Sequence, residues 1–416
     1  MKLDAPANEN YAAVIVRVRN ILPLPKRDRI FGVPVLGLHA ITDGSTQVGD
    51  LVVMFGAETQ LSLEYAAENN LHRHGNLNVD ESKSGYLEDN RRVRAIQFAG
   101  NRSDALIMPL SSLAYTGFNV DDLQEGNTFD RLNGHDICNK YVVKTKSGAV
   151  KNQDSKERRV DAKFFPLHFD TANYWRNLDA IDDMDRVTVT QKLHGTSIRI
   201  GNVPVKRTLK WYERLVSKFV KVQTMEYANV YGSRRVTKDS NNPDQNHFYD
   251  TDLWTIEGAK LDGIVPKGYV VYGELIGYTP SGEAIQKNFT YDRPVGQCEL
   301  YVYRVVQVNP DGIAVDLSWD QVKEFTTNNG LKHVPELWAG LHVGFNVNDF
   351  IDVRFRDLGY SNAVPLSDPK LVDEGVCVRV EGLTPRVLKA KSPKFLAHET
   401  AMLDNNEVDM EESDGQ

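Results

Sequence analysis

The chain has 416 residues, 41 % of them hydrophobic and 25 % charged, enough apolar material for ordinary cores and, at roughly 100–200 residues per domain, for two or three domains. Its formal net charge of −8 excludes binding to nucleic acid by bulk attraction, so any such contact needs a local basic surface. The polar start MKLDAPANEN has no apolar region of the signal-peptide kind, and no apolar run approaches the roughly 18 residues of a membrane span. Cys138, Cys298 and Cys377 are far apart, which predicts neither a zinc site nor a disulfide framework. A cytoplasmic or other reducing compartment, with no membrane partner, is the expected setting.

In the first part, residues 12–19 (AAVIVRVR) alternate apolar and polar side chains, the period of a half-buried strand. Similar runs follow at 32–40, 51–55, 92–98 and 105–110. A helix over 61–71, with Leu61, Tyr65, Ala66 and Leu71 on one face, separates the third run from the fourth. Five short strands and a helix predict an OB-type β-barrel over residues 1–140, although sandwiches and SH3-like barrels share the pattern. Such a module binds nucleic-acid backbone, and Arg17, Arg19, Lys26, Arg27 and Arg29 cluster near its first turn. Residues 141–165 are expected to be a linker, because the polar stretch 144–159 has no apolar period.

Residues 166–403 mix strands (187–191, 198–201, 269–274, 300–308, 350–355 and 375–380) with helices, an α+β pattern. Within them, 206–223 places Leu209, Tyr212, Leu215, Val216 and Phe219 at helical spacing. Arg207, Lys210, Arg214, Lys218 and Lys221 form a basic stripe on the same segment, suited to a phosphate backbone or simply to water. The acidic end, 404–416, is expected to be a disordered tail.

The chemistry begins at Lys192-Leu193-His194-Gly195, between two strand-like runs. A lysine amine that has given up its proton can attack the α-phosphorus of ATP, and a glycine three residues on lets the backbone turn and approach closely. The motif occurs twice, the second time at Lys260-Leu261-Asp262-Gly263. The order and spacing of the downstream residues distinguish the two copies. Glu274 ends a β-rich run, Tyr301 and Tyr303 alternate on a strand, Glu374 opens another, and Lys389 and Lys391 have strand spacing that points both the same way.

This ordered set, from Lys192 to Lys391, resembles the covalent nucleotidyltransferases: RNA ligases, DNA ligases and capping enzymes. Lys192–Gly195 is similar to motif I, Tyr231-Gly232-Ser233-Arg234 to motif Ia, 273–277 to motif III, 300–306 to motif IIIa, 374–379 to motif IV and 389–391 to motif V. The resemblance implies a transferase domain of two antiparallel sheets with helices and ATP bound between the sheets. It implies Lys192 as nucleophile, with Gly195 in the nucleotide-binding loop and Arg234 on the phosphate of AMP or the 3′ end of a nick. Glu274 would bind the ribose or order a metal-bound water, and Tyr303 would stack on adenine. Glu374 and Glu274 would hold Mg²⁺ or Mn²⁺, and Lys389 and Lys391 would contact the ATP phosphates. Lys260 lies too close to Glu274 to leave room for motif Ia, so it is expected to be a loop lysine despite its more orthodox Asp-Gly.

DNA ligases and capping enzymes carry an OB domain after motif V, whereas few residues follow Lys391 here and the candidate OB module comes first. That order resembles nick-sealing RNA ligases with an amino-terminal OB module. The implied function is ATP-dependent sealing of 3′-OH/5′-phosphate breaks in RNA, with nicked duplexes as the expected partner. A DNA ligase of unusual domain order and a non-catalytic nucleic-acid-binding protein are the alternatives.

Overall fold

The computed structural model describes residues 3–98, 100–143, 159–169, 171–238, 249 and 251–405. Most of the expected linker and all of the acidic tail beyond residue 405 lie outside them. The chain forms two compact units: residues 1–145 with 172–180 and 391–407, and residues 146–171 with 181–390 and 408–416. Residues 391–407, most of them inside the segment 166–403 expected to form the transferase domain, thus group with the amino-terminal unit. No described helix is long and apolar enough to cross a membrane.

In the first unit, strands β1 (Ala13–Arg17), β2 (Leu22–Pro23), β3 (Ile30–Val35), β4 (Leu38–Asp43), β5 (Leu51–Gly56), β6 (Ala105–Pro109) and β7 (Thr128–Phe129) form one sheet in the order β7-β1-β5-β6-β4-β3-β2. All neighbours are antiparallel except β4 and β6, which pair in parallel at Ala40 and Ala105. The end strands β7 and β2 do not pair, so the described ladder does not close into a barrel.

The single run expected over 32–40 is two strands. Leu36 and Gly37 at φ 45° and 75° turn the chain between them, and the short side of a tight turn favours such left-handed residues. The run expected over 92–98 contributes only a short strand at Ile96–Phe98, paired with Asn101–Ser103. The expected helix is α1 (Leu63–Glu68), started by Ser62, whose hydroxyl accepts from Tyr65 N–H at 2.9 Å.

The first strand is buried on both faces rather than one. Ala13 and Ile15 join Val53, Phe55, Tyr65 and Ala66 in one cluster, while Val14 and Val16 join Val33, Val52, Met54 and Ile107 in another. The two-residue alternation of a strand sends neighbours to opposite faces, and here both faces are covered.

The carboxy-terminal helix, Pro393–Asp404, is locked into this unit by charge. The Arg92 guanidinium, 1 % exposed, donates to Glu58 at 2.5 and 2.8 Å, to Asp404 at 3.0 Å and to the Thr400 carbonyl at 3.0 Å. Thr400 also donates to Glu58 at 2.6 Å.

The second unit holds two mainly antiparallel sheets; in the second of them Lys332 and His333 pair in parallel with Tyr301 and Val302. One contains β8 (Arg186–Gln191), β14 (Glu336–Leu341), β15 (Gly375–Val380) and β16 (Arg386–Lys391), in the order β16-β15-β8-β14. The other contains β9 (Thr196–Lys206), β10 (Met225–Gly232), β11 (Tyr269–Gly277), β12 (Cys298–Val308) and β13 (Ala314–Asp316), in the order β10-β9-β11-β12-β13. Helices α2 (Trp211–Val216), α3 (Leu253–Ala259) and α4 (Trp319–Asn328) fill the connections. The core on the second sheet gathers Phe164, Phe165, Val203, Val205, Val270, Tyr272 and Val306. Residues 350–355, expected as a strand, form no ladder; they follow a 3₁₀ turn that ends at Phe350.

Candidate active site

Strands β8 and β9 are consecutive in the chain but belong to different sheets, and the crossing between them is Lys192–Gly195. The crossing is fastened on three sides. On the first sheet, Lys192 N–H donates to the Gly375 carbonyl at 3.0 Å, and Gln191 N–H to the Pro335 carbonyl at 2.9 Å. On the second sheet, Gly195 N–H donates to Glu274 Oε1 at 3.0 Å, and the Ser197 hydroxyl lies 3.3 Å from Glu274 Oε2. The third side is the loop between β11 and β12. Tyr291 Oη accepts from His194 N–H at 2.7 Å, Gln286 Nε2 donates to the Gly195 carbonyl at 2.9 Å, and the Phe289 ring meets the His194 imidazole edge-on at 5.0 Å.

The fastened loop presents one amine. Lys192 Nζ lies 2.8 Å from Glu374 Oε1, with the lysine side chain 12 % exposed and the carboxylate 1 %. His194 Nδ1 is 3.8 Å from the other oxygen of Glu374. Burial makes such a pair electrostatically strong, because little water screens it. Next to Glu374, Asp373 accepts from Gln191 Nε2 at 2.7 Å and from Phe355 N–H at 2.8 Å, and burial pushes its carboxyl up to about 6. Gln191 completes the brace through both groups of Val364. Burial also drives the Tyr291 hydroxyl well above its ordinary value, which keeps it neutral.

The structure therefore brings Lys192, Gly195, Glu274 and Glu374 together. Gly195 matters through close approach rather than through an unusual φ: a Cβ there would stand 2.2 Å from the Leu275 carbonyl oxygen. Arg234 sits in the turn after β10. The residue before it, Ser233, is held by the fully buried Arg199, whose Nε donates to the Ser233 carbonyl at 2.7 Å and whose guanidinium covers Phe165 at 4.5 Å. Lys389 and Lys391 lie half-buried on β16, and Lys391 Nζ is 2.6 Å from Glu399 Oε1.

The two tyrosines of β12 differ in place. Tyr301 stands directly opposite Glu274 in the ladder and donates its hydroxyl to Glu299 at 2.8 Å. Tyr303 falls at a register shift, where Tyr272 pairs with Arg304 and Gly273 with Val302; it packs against the Phe165 core, 5.3 Å from the His168 ring.

The second lysine motif is elsewhere. Lys260 is the C-cap of α3, exposed and 2.6 Å from Glu257, while Asp262 accepts from the Tyr231 hydroxyl at 2.5 Å. Sequence reasoning missed Tyr291, Gln286, Phe289, Arg199 and the Gln191–Asp373 brace. None of them carries a spacing signal, because each reaches the site only through the crossing of the chain. Among the described residues no three His, Cys, Asp or Glu side chains converge into a metal cage.

Residues 185–391 match the family model described as RNA ligase. No curated protein matches the sequence. Among solved structures, the chain is similar to an RNA ligase of Naegleria gruberi. A form solved with pyrophosphate aligns at a TM-score of 0.58 and 15 % identity, over 95 % of this chain and 100 % of that one. A lysine-to-alanine variant with ATP and Mn aligns at 0.56 and 15 %, over 95 % and 99 %. A lysine-to-methionine variant with AMP and Mn aligns at 0.56 and 16 %, over 93 % and 98 %. At such identities the likeness speaks for the fold, a mixed α+β ligase-type nucleotidyltransferase architecture. The family match speaks for the activity: residues 185–391 form an RNA ligase domain, and the chain is an RNA ligase enzyme.

Proposed function

We propose that the chain seals 3′-OH/5′-phosphate nicks in duplex RNA by way of an AMP covalently held on Lys192. The observation that carries this reading is the largely covered Lys192 amine, 2.8 Å from the buried Glu374, on a loop fastened to both sheets. Fixing a nucleophile in this way replaces a bimolecular search with a positioned attack. The amine gives up its proton and attacks the α-phosphorus of ATP; a nitrogen–phosphorus bond forms and pyrophosphate leaves. The AMP then passes to the 5′-phosphate at the nick, and the 3′-OH attacks, releasing AMP.

The solved structures of the Naegleria RNA ligase with ATP and Mn, AMP and Mn, or pyrophosphate support ATP and a divalent cation here as well. The residues fit such a cation: Glu374 and Glu274 are buried carboxylates, and Mg²⁺ is characteristically held by one or two carboxylates, with waters and phosphates completing the shell. When bound, the cation supplies positive charge to the phosphate oxygens. Lys389 and Lys391 are the protein's own cations for the leaving pyrophosphate, Arg234 for the AMP phosphate or the 3′ end, and Tyr303 the ring for adenine.

The strand order of the first unit supports an OB-type reading of that module. β1 and β2 are near neighbours in sequence yet lie towards opposite ends of the sheet order, as they would if one bent strand bridged the two edges of a barrel. Nicked duplexes recognised by A-form shape and 2′-OH groups fit an RNA-sealing enzyme of this order.

The test is incubation with α-labelled ATP and Mn²⁺. The expected result is a protein–AMP adduct that survives Lys260→Ala and disappears in Lys192→Ala; an adduct persisting without Lys192 ends the reading. Nicks with RNA or DNA at the 3′-OH side then separate RNA from DNA ligation, and a preference for the DNA end would favour a DNA ligase of unusual domain order.

A further inference from the structure

The segment between β9 and β10 carries apolar side chains at helical spacing, which would line one face of a helix. The structure leaves that face uncovered. Only Trp211–Val216 is helical, a turn continues to Phe219, and Trp211 and Phe219 are 75 % and 88 % exposed, with Leu215 at 54 %. The arm is nonetheless a built object. Arg207 grips Glu213 through two bonds, 2.8 and 3.2 Å, and the Gln223 carbonyl at 2.9 Å, while Glu213 accepts from Lys210 N–H at 2.8 Å. This brace uses the arm's one carboxylate, because no other Asp or Glu occurs from 206 to 223. Lys210, Arg214, Lys218 and Lys221 make no ion pair among the described residues.

An arm that joins cations without ion pairs among the described residues to exposed aromatic rings, on a chain of net charge −8, complements a polyanion that also offers flat apolar faces. Phosphates alone would need no Trp or Phe. Paired bases keep their faces inside the stack, so the rings fit unpaired bases. The arm also stands apart from the reaction. It begins at Lys206, nine residues along one strand from Ser197 beside Glu274, or about 30 Å at about 3.3 Å per residue.

We propose that this arm is a docking site for single-stranded RNA flanking the duplex that is joined: Trp211 and Phe219 stack on unpaired bases, and Lys210, Arg214, Lys218 and Lys221 follow the phosphates. The inference rests on RNA being the substrate. It makes the enzyme prefer breaks that carry an unpaired extension.

The test uses the full chain and fluorescent nicked RNA duplexes, either blunt or extended by about 12 unpaired nucleotides, within the span such sites cover. Wild type should bind the extended duplex more tightly. Trp211→Ala with Phe219→Ala should weaken that binding by about tenfold or more and the blunt duplex by less than about twofold, since each stacked base contributes on that scale. Replacing the four cations by Gln should flatten the salt dependence on extended RNA by about 0.7 in slope per lost phosphate contact.

Equal loss on both duplexes, or no loss on either, overturns the proposal. So does capture of wild type by phosphatidylserine vesicles that the arm variants abolish while leaving RNA binding intact, which would make the arm a membrane contact. Lys192 adenylylation, measured in the same preparations, reports separately on the ligase reading and should be unchanged in every arm variant.

Discussion

Replacing Gly195 by alanine tests whether the crossing loop positions Lys192, the proposed nucleophile. The added Cβ would lie 2.2 Å from the Leu275 carbonyl oxygen, 2.9 Å from Ile276 Cγ2 and 3.0 Å from the Leu275 carbonyl carbon. Two of the three are backbone atoms of β11, so no rotamer change relieves the clash, and the loop must retreat by about an ångström to reach ordinary contact. That retreat breaks the 3.0 Å bond from Gly195 N–H to Glu274 and moves Lys192 with it.

Overpacking of this kind costs about 1–3 kcal/mol of stability, and misplacing a reacting group by about 1 Å costs on the order of 100-fold in rate. Single-turnover adenylylation should therefore fall by about two orders of magnitude in Gly195→Ala, with the melting temperature lowered by roughly 2–10 °C. Gly263→Ala is the control. Gly263 has φ 80° but nothing within 4 Å of its Cβ position, so the change strains the turn that follows α3 and leaves adenylylation intact. Adenylylation of Gly195→Ala within about threefold of wild type, with an unchanged melting temperature, would falsify the close-approach argument.

Three further outcomes rest on named contacts. Tyr291→Phe removes the acceptor of the buried His194 N–H; it should cost about 1–3 kcal/mol and slow adenylylation at least tenfold, read by calorimetry and labelled ATP. Arg92→Ala leaves Glu58 buried without its cation and unlatches the carboxy-terminal helix; a loss of about 3–5 kcal/mol should appear in denaturant melts, with early proteolysis in 393–404 as its signature. His72 is buried, makes no ring hydrogen bond among the described residues, and is held below its ordinary 6.5 by burial and by Arg91. Its stability contribution is present above about pH 6.5 and is lost as pH falls, because the unfolded state then binds a proton that the folded state resists. His72→Leu should flatten the dependence of the melting temperature between about pH 7 and 5; an unchanged slope would place the pH sensitivity elsewhere.

The linear chain by itself marked the candidate site residues. Lys192, Glu274 and Glu374 could be read in order because a strand end fixes a side chain's direction locally, and the spacing between such ends survives in sequence. The same local logic separated Lys192 from Lys260, which the structure places at a helix C-cap against Glu257.

Only the tertiary structure decided what holds those residues. Tyr291, Gln286 and Phe289 reach the Lys192 loop from a connection about a hundred residues away, and Arg199 reaches Ser233 at the end of the neighbouring strand; contacts of that range leave no periodicity. Apolar spacing misled where burial depends on a partner surface. It implied a half-exposed β1 that is covered on both faces, and it is helical over 206–223, where only Trp211–Val216 is helical and most of the apolar side chains stay exposed. A hydrophobic pattern states which side chains would gain from leaving water. Whether another element is there to cover them is settled only when the whole chain has folded.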